Sequence, residues 1–341
     1  MTALAPEDDA SPKLKETGCR FVHVPMDNQG MNPLADFHLK KRLESIYETV
    51  SPDLTIHYTV KPVLFGSMAA ENLGIPFVNN ITGLGTAFIR KNWVTSLVKI
   101  LYRRSQRKAS LLFFQNSEDR DLFERQGLIP KSVPREVVPG TGVDIEKFSI
   151  RPYSLAEPSS FLLVARLIWD KGVSEFVEAA RVVKREFPHT RFQLLGYLEV
   201  KNRTAVSRKQ VNSWVKEGLL EYLGDTEDVR SFVTKAGCLV LPSYREGLPK
   251  TLLEAAAMGR PIIATDVTGC REVVDHGVNG YLCKVRDASD LAEKMKNMIK
   301  LSIDERREMG LRGRKKMKEN FDEKLIVQKI INQIENVLNS T

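Results

Sequence analysis

Short hydrophobic segments alternate with amphipathic segments along the whole chain. In the first half the hydrophobic segments are RFVHVPM, LTIHYTV, PFVNNIT, LLFFQNS and REVVPGT; in the second half they are FLLVARL, RFQLLGY, GCLVLPS, PIIATDV and GYLCKV. Each has the length of a buried strand, and intervening segments such as VSEFVEAARVVKREF have the apolar spacing of a helix. This alternation predicts an α/β fold with parallel sheets covered by helices on both faces.

One segment interrupts the alternation near the middle of the chain. Residues 144–160, DIEKFSIRPYSLAEPSS, contain two prolines and four serines. Such a composition is typical of a linker. We therefore expect two Rossmann-like domains, residues 1–150 and 151–341, with a ligand-binding cleft between them at the carboxyl ends of the strands.

The beginning of the chain departs from this rhythm. The segment TALAPEDDASPKLKETGCRFVHVPM has the pattern of the end of a strand, a loop, a short helix and the next strand. An α/β domain that begins in this way indicates that a first strand–helix unit is missing upstream. We expect the first domain to be incomplete at its start.

Composition and charge narrow the classes of function. The chain is 42% hydrophobic and 28% charged, which is typical of a globular protein, and no apolar run has the length of a membrane span. The acidic N-terminus, MTALAPEDDA, lacks the pattern of a signal peptide. Four cysteines, Cys19, Cys238, Cys270 and Cys283, show no metal-ligand spacing. These features predict a cytoplasmic protein with reduced thiols. The net charge of +8 is moderate, so the position of the cations matters more than their number.

A predicted helix N-terminus in the second half has the features of an anion site. In REGLPKTLLEAAAMGRP, residues 245–261, Pro249 is expected to be the first helical residue and Gly259 to end the helix. Lys250 and Thr251 then lie in the first turn, where free N–H groups, the helix dipole and a cation all favour an anion.

Two glutamates eight positions apart accompany this N-terminus. Glu254 is expected about 7 Å along the helix, where its carboxylate could accept hydrogen bonds from two ribose hydroxyls. Glu246 precedes the helix and could contact a sugar held beyond the phosphates. The alternative is that both are solvated glutamates that merely suit the helix dipole.

Two cations flank a turn at the end of a predicted strand. In LLVARLIWDKGVSEF, Arg166 and Lys171 lie on either side of the turn, so that a guanidinium fork and a point charge could share a diphosphate. The alternative is a pair of ordinary surface cations. The first interpretation is favoured because Arg166 interrupts an apolar strand, where burial of an unpaired charge is costly.

A glycine turn follows the predicted strand IPFVNN. In NITGLGTAF, Gly83 and Gly85 allow a ligand to approach the backbone closely. A tight turn without a ligand is equally consistent with this short pattern.

A basic segment follows the glycine turn. Residues 88–110 carry seven cations and no acid: Arg90, Lys91, Lys99, Arg103, Arg104, Arg107 and Lys108. Apolar residues recur at helical spacing: Trp93, Leu97, Ile100 and Leu101. A basic amphipathic helix of this kind is typical of a membrane surface, and a core helix with a solvated basic back is the alternative. Nucleic acid is not expected as a partner, because no binding motif elsewhere supports it.

The motifs of the second half resemble a known family. The spacing of Glu246 and Glu254, with Arg166 and Lys171 upstream, resembles the donor-site signature of retaining glycosyltransferase family 4, which has the GT-B fold. The segments VARLIWDKGVSEFVEAA, YLGDTEDV and VLPSYREGLPKTLLEAAAMGRPIIATDVTGCREVV are similar to its bacterial capsule, O-antigen and protein-glycosylation branch. Within this branch, the chain resembles transferases that add N-acetylgalactosamine or a related sugar to undecaprenyl-diphosphate-linked acceptors. HYTVKPVLFG and ITGLGTAF are also similar to it.

The resemblance implies roles for particular residues. Arg166 and Lys171 would hold the donor diphosphate and stabilise it as the leaving group, Glu254 would hold the ribose, and Glu246 the transferred sugar; Glu246, Arg166 and Lys171 would be catalytic. Gly196 and Tyr197 would line the base pocket. The other donor-binding residues implied are Gly247, Leu248, Pro249, Lys250 and Thr251. The residues implied on the acceptor side are Lys61, Thr82, Gly83 and Gly85. The last helix is a candidate to cross back to the first domain.

The implied function is transfer of a sugar from a UDP-sugar to a lipid-linked saccharide. The enzyme would act at the inner face of the cell membrane without a cofactor or metal, because cations and a helix N-terminus do the work of a metal ion. Many family members carry a histidine or glutamate in the glycine turn, where this chain has Asn80 and Thr82, so no acceptor base is assigned. The alternatives are an inactive sugar-nucleotide-binding scaffold protein of the same pathway, or a GT-B sugar-nucleotide epimerase.

Overall fold

The structure is a computed structural model that describes residues 1–8, 11–26, 32–82, 93–152, 160–198, 202 and 204–340. The limits of the two domains stay a prediction, because residues 153–159 of the expected linker lie outside the described residues.

The first half alternates strands and helices as predicted. Its strands are β1 (Thr2–Ala5), β2 (Arg20–His23), β3 (Thr55–Tyr58), β4 (Phe77–Ile81), β5 (Leu111–Phe114) and β6 (Arg135–Val137). Its helices are α1 (Ser11–Glu16), α2 (Pro33–Val50), α3 (Ser67–Leu73), α4 (Trp93–Ser105) and α5 (Ser117–Arg125), with a π-helix at Pro62–Gly66. Strands β1 and β2 form a parallel pair, and β3-β4-β5-β6 form a parallel sheet in chain order.

The second half contains a larger parallel sheet. Its strands are β7 (Ser160–Val164), β8 (Arg191–Leu195), β9 (Glu221–Tyr222), β10 (Cys238–Leu241), β11 (Ile262–Thr265) and β12 (Gly280–Cys283). They lie in the order β12-β11-β10-β7-β8-β9, with every pair parallel. The ten strands expected from hydrophobic segments are confirmed; β9 was missed because two residues are too short for a pattern.

Helices of the second half cover this sheet on both faces. They are α6 (Val173–Glu186), α7 (Arg208–Lys216), α8 (Arg230–Lys235), α9 (Lys250–Ala257), α10 (Thr268–Val273), α11 (Ala288–Lys300) and α12 (Ile303–Asn320). The last helix, α13 (Glu323–Asn339), packs on the sheet of the first half instead. Along β7, Phe161 packs into the core on one face and Leu162 into the core on the other. Burial on both faces is why the strands are continuously hydrophobic rather than alternating. Among the described helices, none is long and apolar enough to cross a membrane.

The chain passes between the two halves twice, and the two passages pair with each other. The N–H of Val143 donates to the carbonyl of Phe321 at 2.8 Å, and the N–H of Glu323 donates back to Val143 at 3.1 Å. Gly142 has a φ of +69°, and a Cβ there would lie 2.6 Å from the Phe321 oxygen, so this contact requires glycine. Beyond the second passage, Ile326 of α13 is buried against the first-half sheet, where it packs with Val78, Leu111, Phe113 and Val138.

The described part of the expected linker is docked on the second half. The Arg314 guanidinium donates to the carbonyls of Ile145 and Phe148, each at 2.8 Å. The buried Arg260 donates to the carbonyl of Pro152 at 3.0 Å. These bonds hold residues 145–152 in place, so this stretch is not a free tether.

Candidate active site

A cavity of about 770 Å³ lies between the two halves. The first half contributes Thr59, Val60, Thr82 and Asp119, and the second contributes Arg166, Ile168, Asp170, Lys171, Asn202, Ser243, Tyr244, Arg245, Glu246, Gly247, Val285 and Arg286. Most of these residues follow the carboxyl ends of β3, β4, β7, β10 and β12. This is the position at which α/β sheets bind ligands and at which the sequence placed the cleft.

Both predicted phosphate-binding cations line the cavity. Arg166 is exposed just beyond the end of β7, and Lys171 ends a 3-10 turn at Trp169–Lys171. Gly172 follows with a φ of +73°, and a Cβ there would lie 2.0 Å from the carbonyl oxygen of Pro242. The turn that carries Lys171 toward the cavity therefore depends on a glycine.

Lys171 and Glu246 form an ion pair inside the cavity. The Lys171 Nζ lies 2.5 Å from Glu246 Oε1, and the two side chains are 21% and 11% exposed. From the sequence, Lys171 was expected to bind a diphosphate and Glu246 a sugar. Their contact with each other could not be predicted, because they lie 75 positions apart. Arg166, by contrast, has no ion pair within 4 Å among the residues that the structure describes.

The N-terminus of α9 lies next to Glu246 in the chain. The helix begins at Lys250, and Pro249 is the N-cap residue with an extended ψ of 109°, so the prediction of Pro249 as the first helical residue is wrong by one position. No side chain caps this N-terminus. Gly259, with a φ of +72°, follows the last turn as predicted.

Glu254 lies in α9, is partly buried and forms no ion pair with any described residue. Burial raises its pKa above the ordinary value, against the opposing effect of Lys250. It does not line the 770 Å³ cavity, and neither do Leu248, Pro249, Lys250 or Thr251. Partial burial of an ionised carboxylate without an ion pair is energetically unfavourable unless a ligand or another group donates hydrogen bonds to it.

The expected base-binding segment follows β8, on the other side of Arg166. The carbonyl of Tyr197 accepts from the N–H of Leu167 at 3.0 Å, which fixes this loop against the loop that carries Arg166. Gly196 has a φ of +147°, and a Cβ there would lie 1.8 Å from the carbonyl oxygen of Ala165. Gly196 is thus required for the close approach of the two loops, and Tyr197 is exposed beside them.

Only some of the expected acceptor-side residues can be compared with the structure, and these lie in different places. Thr82 lines the cavity, whereas Lys61 does not. Lys61 Nζ instead pairs with Asp36 at 2.8 Å, with side chains 13% and 7% exposed. Gly83 and Gly85, like the expected membrane-surface residues Arg90 and Lys91, lie outside the described residues.

Polar contacts join the two halves beside the cavity. They connect Arg245 to Asp119 (3.2 Å), Asn116 to the carbonyl of Gly247 (3.2 Å), Thr268 to Glu118 (2.6 Å) and Arg271 to Glu118 (2.7 Å). A second cavity of about 490 Å³ shares Asp119, Tyr244 and Arg245 with the first. These contacts could not be predicted from local sequence patterns, because each joins residues more than a hundred positions apart.

Helix α4 packs on the core of the first half through Val98 and Tyr102. Arg103 donates to the carbonyls of Gln126 and Gly127, and both Arg104 and Lys108 pair with Glu71; Arg107 lies exposed beyond the helix. Of the expected apolar stripe, Ile100 is 57% exposed and Leu97 and Leu101 are partly buried, whereas the side chain of Trp93 lies outside the described part. The packing corresponds to the core-helix alternative, and the membrane-surface role stays a prediction.

The four thiols are unpaired, as expected, with Cys238, Cys270 and Cys283 buried. Among the described residues, no group of three or more His, Cys, Asp or Glu could hold a metal ion.

Comparison with solved structures identifies the fold. HepE from Anabaena, solved in complex with UDP and glucose, superposes with a TM-score of 0.80 at 19% sequence identity, covering 98% of this chain and 91% of that protein. The two halves therefore form a GT-B fold, with parallel-sheet domains that face a cleft.

Two relatives are similar in sequence. The N,N'-diacetylbacillosaminyl-diphospho-undecaprenol α-1,3-N-acetylgalactosaminyltransferase of Campylobacter jejuni is 26% identical over 353 residues, covering 98% of this chain and 90% of the relative. The putative colanic acid biosynthesis glycosyltransferase WcaL of Escherichia coli is 32% identical over 206 residues. That match covers 57% of this chain and half of the relative's length.

Family models account for both halves of the chain. The model "Glycosyl transferase 4-like" matches residues 3–116, and the model "Glycosyl transferases group 1" matches residues 146–316, half of the chain. The second match includes Arg166, Lys171, Glu246 and Glu254. The chain belongs to the glycosyl transferases group 1 family and is a glycosyltransferase.

Proposed function

We propose that this glycosyltransferase moves an N-acetylhexosamine or hexose, with retention, from a UDP-sugar to a polyprenyl-diphosphate-linked saccharide in the assembly of bacterial surface glycans. The observation that carries this proposal is the convergence of Arg166, Lys171 and Glu246 on one cavity between the two halves. The α-1,3-N-acetylgalactosaminyltransferase of Campylobacter jejuni, whose name specifies a diphospho-undecaprenol acceptor, supports the choice of acceptor.

The donor half of the site suits a nucleoside diphosphate. Arg166 has no acidic partner among the described residues, so its guanidinium is available to phosphate oxygens. The uncapped N-terminus of α9 adds N–H groups and a favourable dipole. Glu254 is partly buried without an ion pair, and two ribose hydroxyls would supply the hydrogen bonds that its carboxylate lacks. HepE, which has the same fold, was solved with UDP and glucose and supports this assignment.

The ion pair between Lys171 and Glu246 suggests how the site receives its donor. Their contact of 2.5 Å would be exchanged on binding, with Lys171 turning to the diphosphate and Glu246 accepting hydrogen bonds from sugar hydroxyls. As the bond between the anomeric carbon and the phosphate oxygen breaks, negative charge develops on the diphosphate, and Arg166 and Lys171 stabilise it. The acceptor hydroxyl attacks from the face that the phosphate leaves, so the anomeric configuration is retained, and the hydroxyl proton passes to the departing phosphate oxygen.

No metal ion is needed in this mechanism. Two cations and a helix N-terminus provide the electrostatic stabilisation that a divalent cation supplies in other phosphate-leaving reactions. We expect the same transfer rate with added Mg²⁺ and with EDTA.

A lipid-linked acceptor places the reaction at a membrane, and we propose that the protein attaches peripherally to the inner face. The exposed Ile100 and the cations Lys99 and Arg107, which form no ion pair among the described residues, are the groups of this region available to an anionic surface.

The test is a transfer assay with defined substrates. UDP-sugars with N-acetylhexosamine or hexose would be incubated with a polyprenyl-diphosphate-linked saccharide, the product detected by mass spectrometry and its anomeric configuration read by NMR. Formation of an α-linked product from an α-configured donor supports the proposal. UDP binding with neither transfer nor hydrolysis would instead indicate a scaffold protein, and release of an epimerised sugar would indicate an epimerase. Arg166→Ala is the negative control, because it should lower both UDP binding and transfer.

A further inference from the structure

Arg286 is a cation of the cavity to which no role has been assigned so far. It follows the end of β12 and lines the cavity together with Arg166, Lys171 and Glu246. Its φ of +58° lies in the left-handed region, where a residue with a side chain is strained and glycine is not. An arginine thus occupies a position where the backbone favours glycine.

The side chain of Arg286 rests on an aromatic platform. Its guanidinium carbon lies 4.5 Å from the centroid of the Tyr244 ring. The Tyr244 hydroxyl donates to the two carboxylate oxygens of Glu175, at 2.9 and 3.1 Å. The backbone N–H of Tyr244 donates to the carbonyl of Asp170 at 2.9 Å. The ring is thus fixed at both ends, and stacking on it positions the guanidinium without using its N–H groups.

Arg286 has charge and hydrogen-bond donors to offer a ligand. It forms no ion pair within 4 Å among the residues that the structure describes. The neighbouring acid, Asp287, uses its carboxylate to cap α11 by accepting from the N–H of Asp290. A positioned guanidinium with unused donors, in a cleft, suits an anion.

The order of the strands places Arg286 away from the nucleotide. Across the edge of the sheet the site runs from Tyr197 after β8, through Arg166 after β7 and Glu246 after β10, to Arg286 after β12. Tyr197 belongs to the segment expected at the base, and the proposed function assigns the donor diphosphate to Arg166 and the transferred sugar to Glu246. Arg286 then lies beyond the transferred sugar, at the end of this row that is farther from the nucleotide.

We propose that Arg286, held by Tyr244 and Glu175, binds an anionic group of the acceptor, the diphosphate that links its saccharide to the lipid or an acidic substituent of that saccharide. This inference rests on the proposed function, because it takes the donor to occupy Arg166 and Lys171. It assigns the cavity two anion subsites at opposite ends, one for each substrate.

The test compares Arg286→Gln with Lys284→Gln, which removes the same charge from an exposed residue of the same loop that does not line the cavity. The probes are a short polyprenyl diphosphate, titrated calorimetrically into protein saturated with UDP, and UDP alone. We expect Arg286→Gln to weaken binding of the polyprenyl diphosphate about tenfold or more and to change UDP affinity less than twofold. Lys284→Gln should change neither.

Kinetic arms distinguish the two sources of the anion. If it is the diphosphate, Arg286→Gln raises the acceptor KM for the lipid-linked saccharide but not for an alkyl glycoside of the same saccharide. If it is an acidic sugar, KM rises for acidic saccharides with or without diphosphate. The inference is overturned if acceptor KM is unchanged in every arm, or if UDP affinity falls as much as acceptor affinity. Failure of the proposed function looks different: the wild type would bind UDP and polyprenyl diphosphate but transfer no sugar, and the titrations would still decide the role of Arg286.

Discussion

Two groups of cations in this molecule look alike in the sequence and differ in the structure. The first group, called the α4 cations, consists of Arg103 and Arg104 in α4 and Lys108 just beyond it. They are bound by backbone carbonyls or by Glu71. The cleft cations, Arg166 and Arg286, line the cavity and have no ion pair among the described residues. The density of positive charge in the sequence drew attention to α4, whereas the absence of internal partners points to the cleft. The presence of ion-pair or hydrogen-bond partners within the protein, more than charge density, distinguishes a cation that supports the fold from one that is available to a ligand.

The physical reason lies in what each arrangement leaves free. An exposed ion pair contributes little to stability, about 0–1 kcal/mol, yet it occupies the charge and the donors of its cation. A cation that lies in a cleft without an acidic partner has its charge and its hydrogen-bond donors available, and the partly enclosed surroundings strengthen its attraction to an anion. Lys171 is intermediate, because its partner Glu246 is itself a cavity residue that a sugar could recruit.

The sharpest way to break this comparison is to exchange alanine for one cation of each group. Arg166→Ala is expected to lower kcat/KM about 100-fold, because charge develops on the leaving diphosphate in the transition state. UDP affinity measured by calorimetry should fall by about 1.5–3 kcal/mol. Arg104→Ala should leave both unchanged. Equal losses of activity in the two variants would remove the distinction between the groups.

Glu246→Gln sharpens the intermediate case. We expect transfer to fall about 30-fold, because a carboxylate contact to the sugar is lost, whereas UDP affinity should not fall, because Lys171 is released from its ion pair. Steady-state kinetics and UDP titration measure the two quantities. A parallel fall in both would place Glu246 in the nucleotide half of the site.

The basic region around α4 also contains cations with and without internal partners. Lys99 and Arg107 form no ion pair among the described residues, so they should contribute more to vesicle binding than Arg103 and Arg104. Each cation near an anionic surface is worth about 1 kcal/mol, so Lys99→Gln/Arg107→Gln should weaken co-sedimentation with anionic vesicles by about 2 kcal/mol, or about 30-fold, at low salt. The charge-matched control is Arg103→Gln/Arg104→Gln. Equal effects, or equal binding to neutral vesicles, would contradict the assignment.

The same reasoning extends to an acid without an ion pair, Glu254. Because burial raises its pKa, the folded protein holds this proton more tightly than the unfolded protein, so stability falls as pH rises from the ordinary value of 4.5 through the raised value. The penalty is therefore larger at pH 7 than at pH 4. Glu254→Gln should therefore raise Tm at pH 7, have little effect below about pH 4, and weaken UDP binding about fivefold.

Glu272→Gln is the matched control for Glu254. Burial also raises the pKa of Glu272, but this residue lies in α10 and lines neither described cavity. We expect it to raise Tm at pH 7 without changing UDP affinity. If both variants leave UDP affinity unchanged, Glu254 has no part in binding the donor.

The smallest effect is expected in the α4 group itself. Arg104→Ala should lower the free energy of unfolding by about 0.5–1 kcal/mol, since Glu71, only 10% exposed, would keep just the longer contact to Lys108 at 3.8 Å. Urea denaturation measures the change, and Arg107→Ala is the control with no ion pair to lose among the described residues. An equal change in the two variants would show that the pair with Glu71 contributes nothing.

Much of this architecture could be predicted from local sequence. Hydrophobic runs marked ten strands, most clearly in the second half, where β7, β10 and β11 are buried along their whole length. Arg166, Lys171 and Glu246 could be placed because each follows a strand end. The position of Pro249 was wrong by one residue, within the usual uncertainty of helix ends.

What could not be predicted depends on distant residues meeting. The contact of Lys171 with Glu246, the contacts of α5 with the second half and the platform of Tyr244 under Arg286 all join separate parts of the chain. The left-handed backbone at Arg286 left no trace either, since an arginine in a loop has no distinctive pattern. Arg286 is a cation after a strand end, like Arg166, but many loop cations share that position, so the position alone does not single it out.

The return of α13 to the first-half sheet has a consequence for how the protein is made. Ile326 covers Val78, Leu111, Phe113 and Val138, all of which are synthesised long before it. During translation this apolar face stays open until α13 has left the ribosome, so the nascent first half carries a surface that favours chaperone binding or aggregation. Burial of this face of the first half therefore has to wait until the second half has been synthesised.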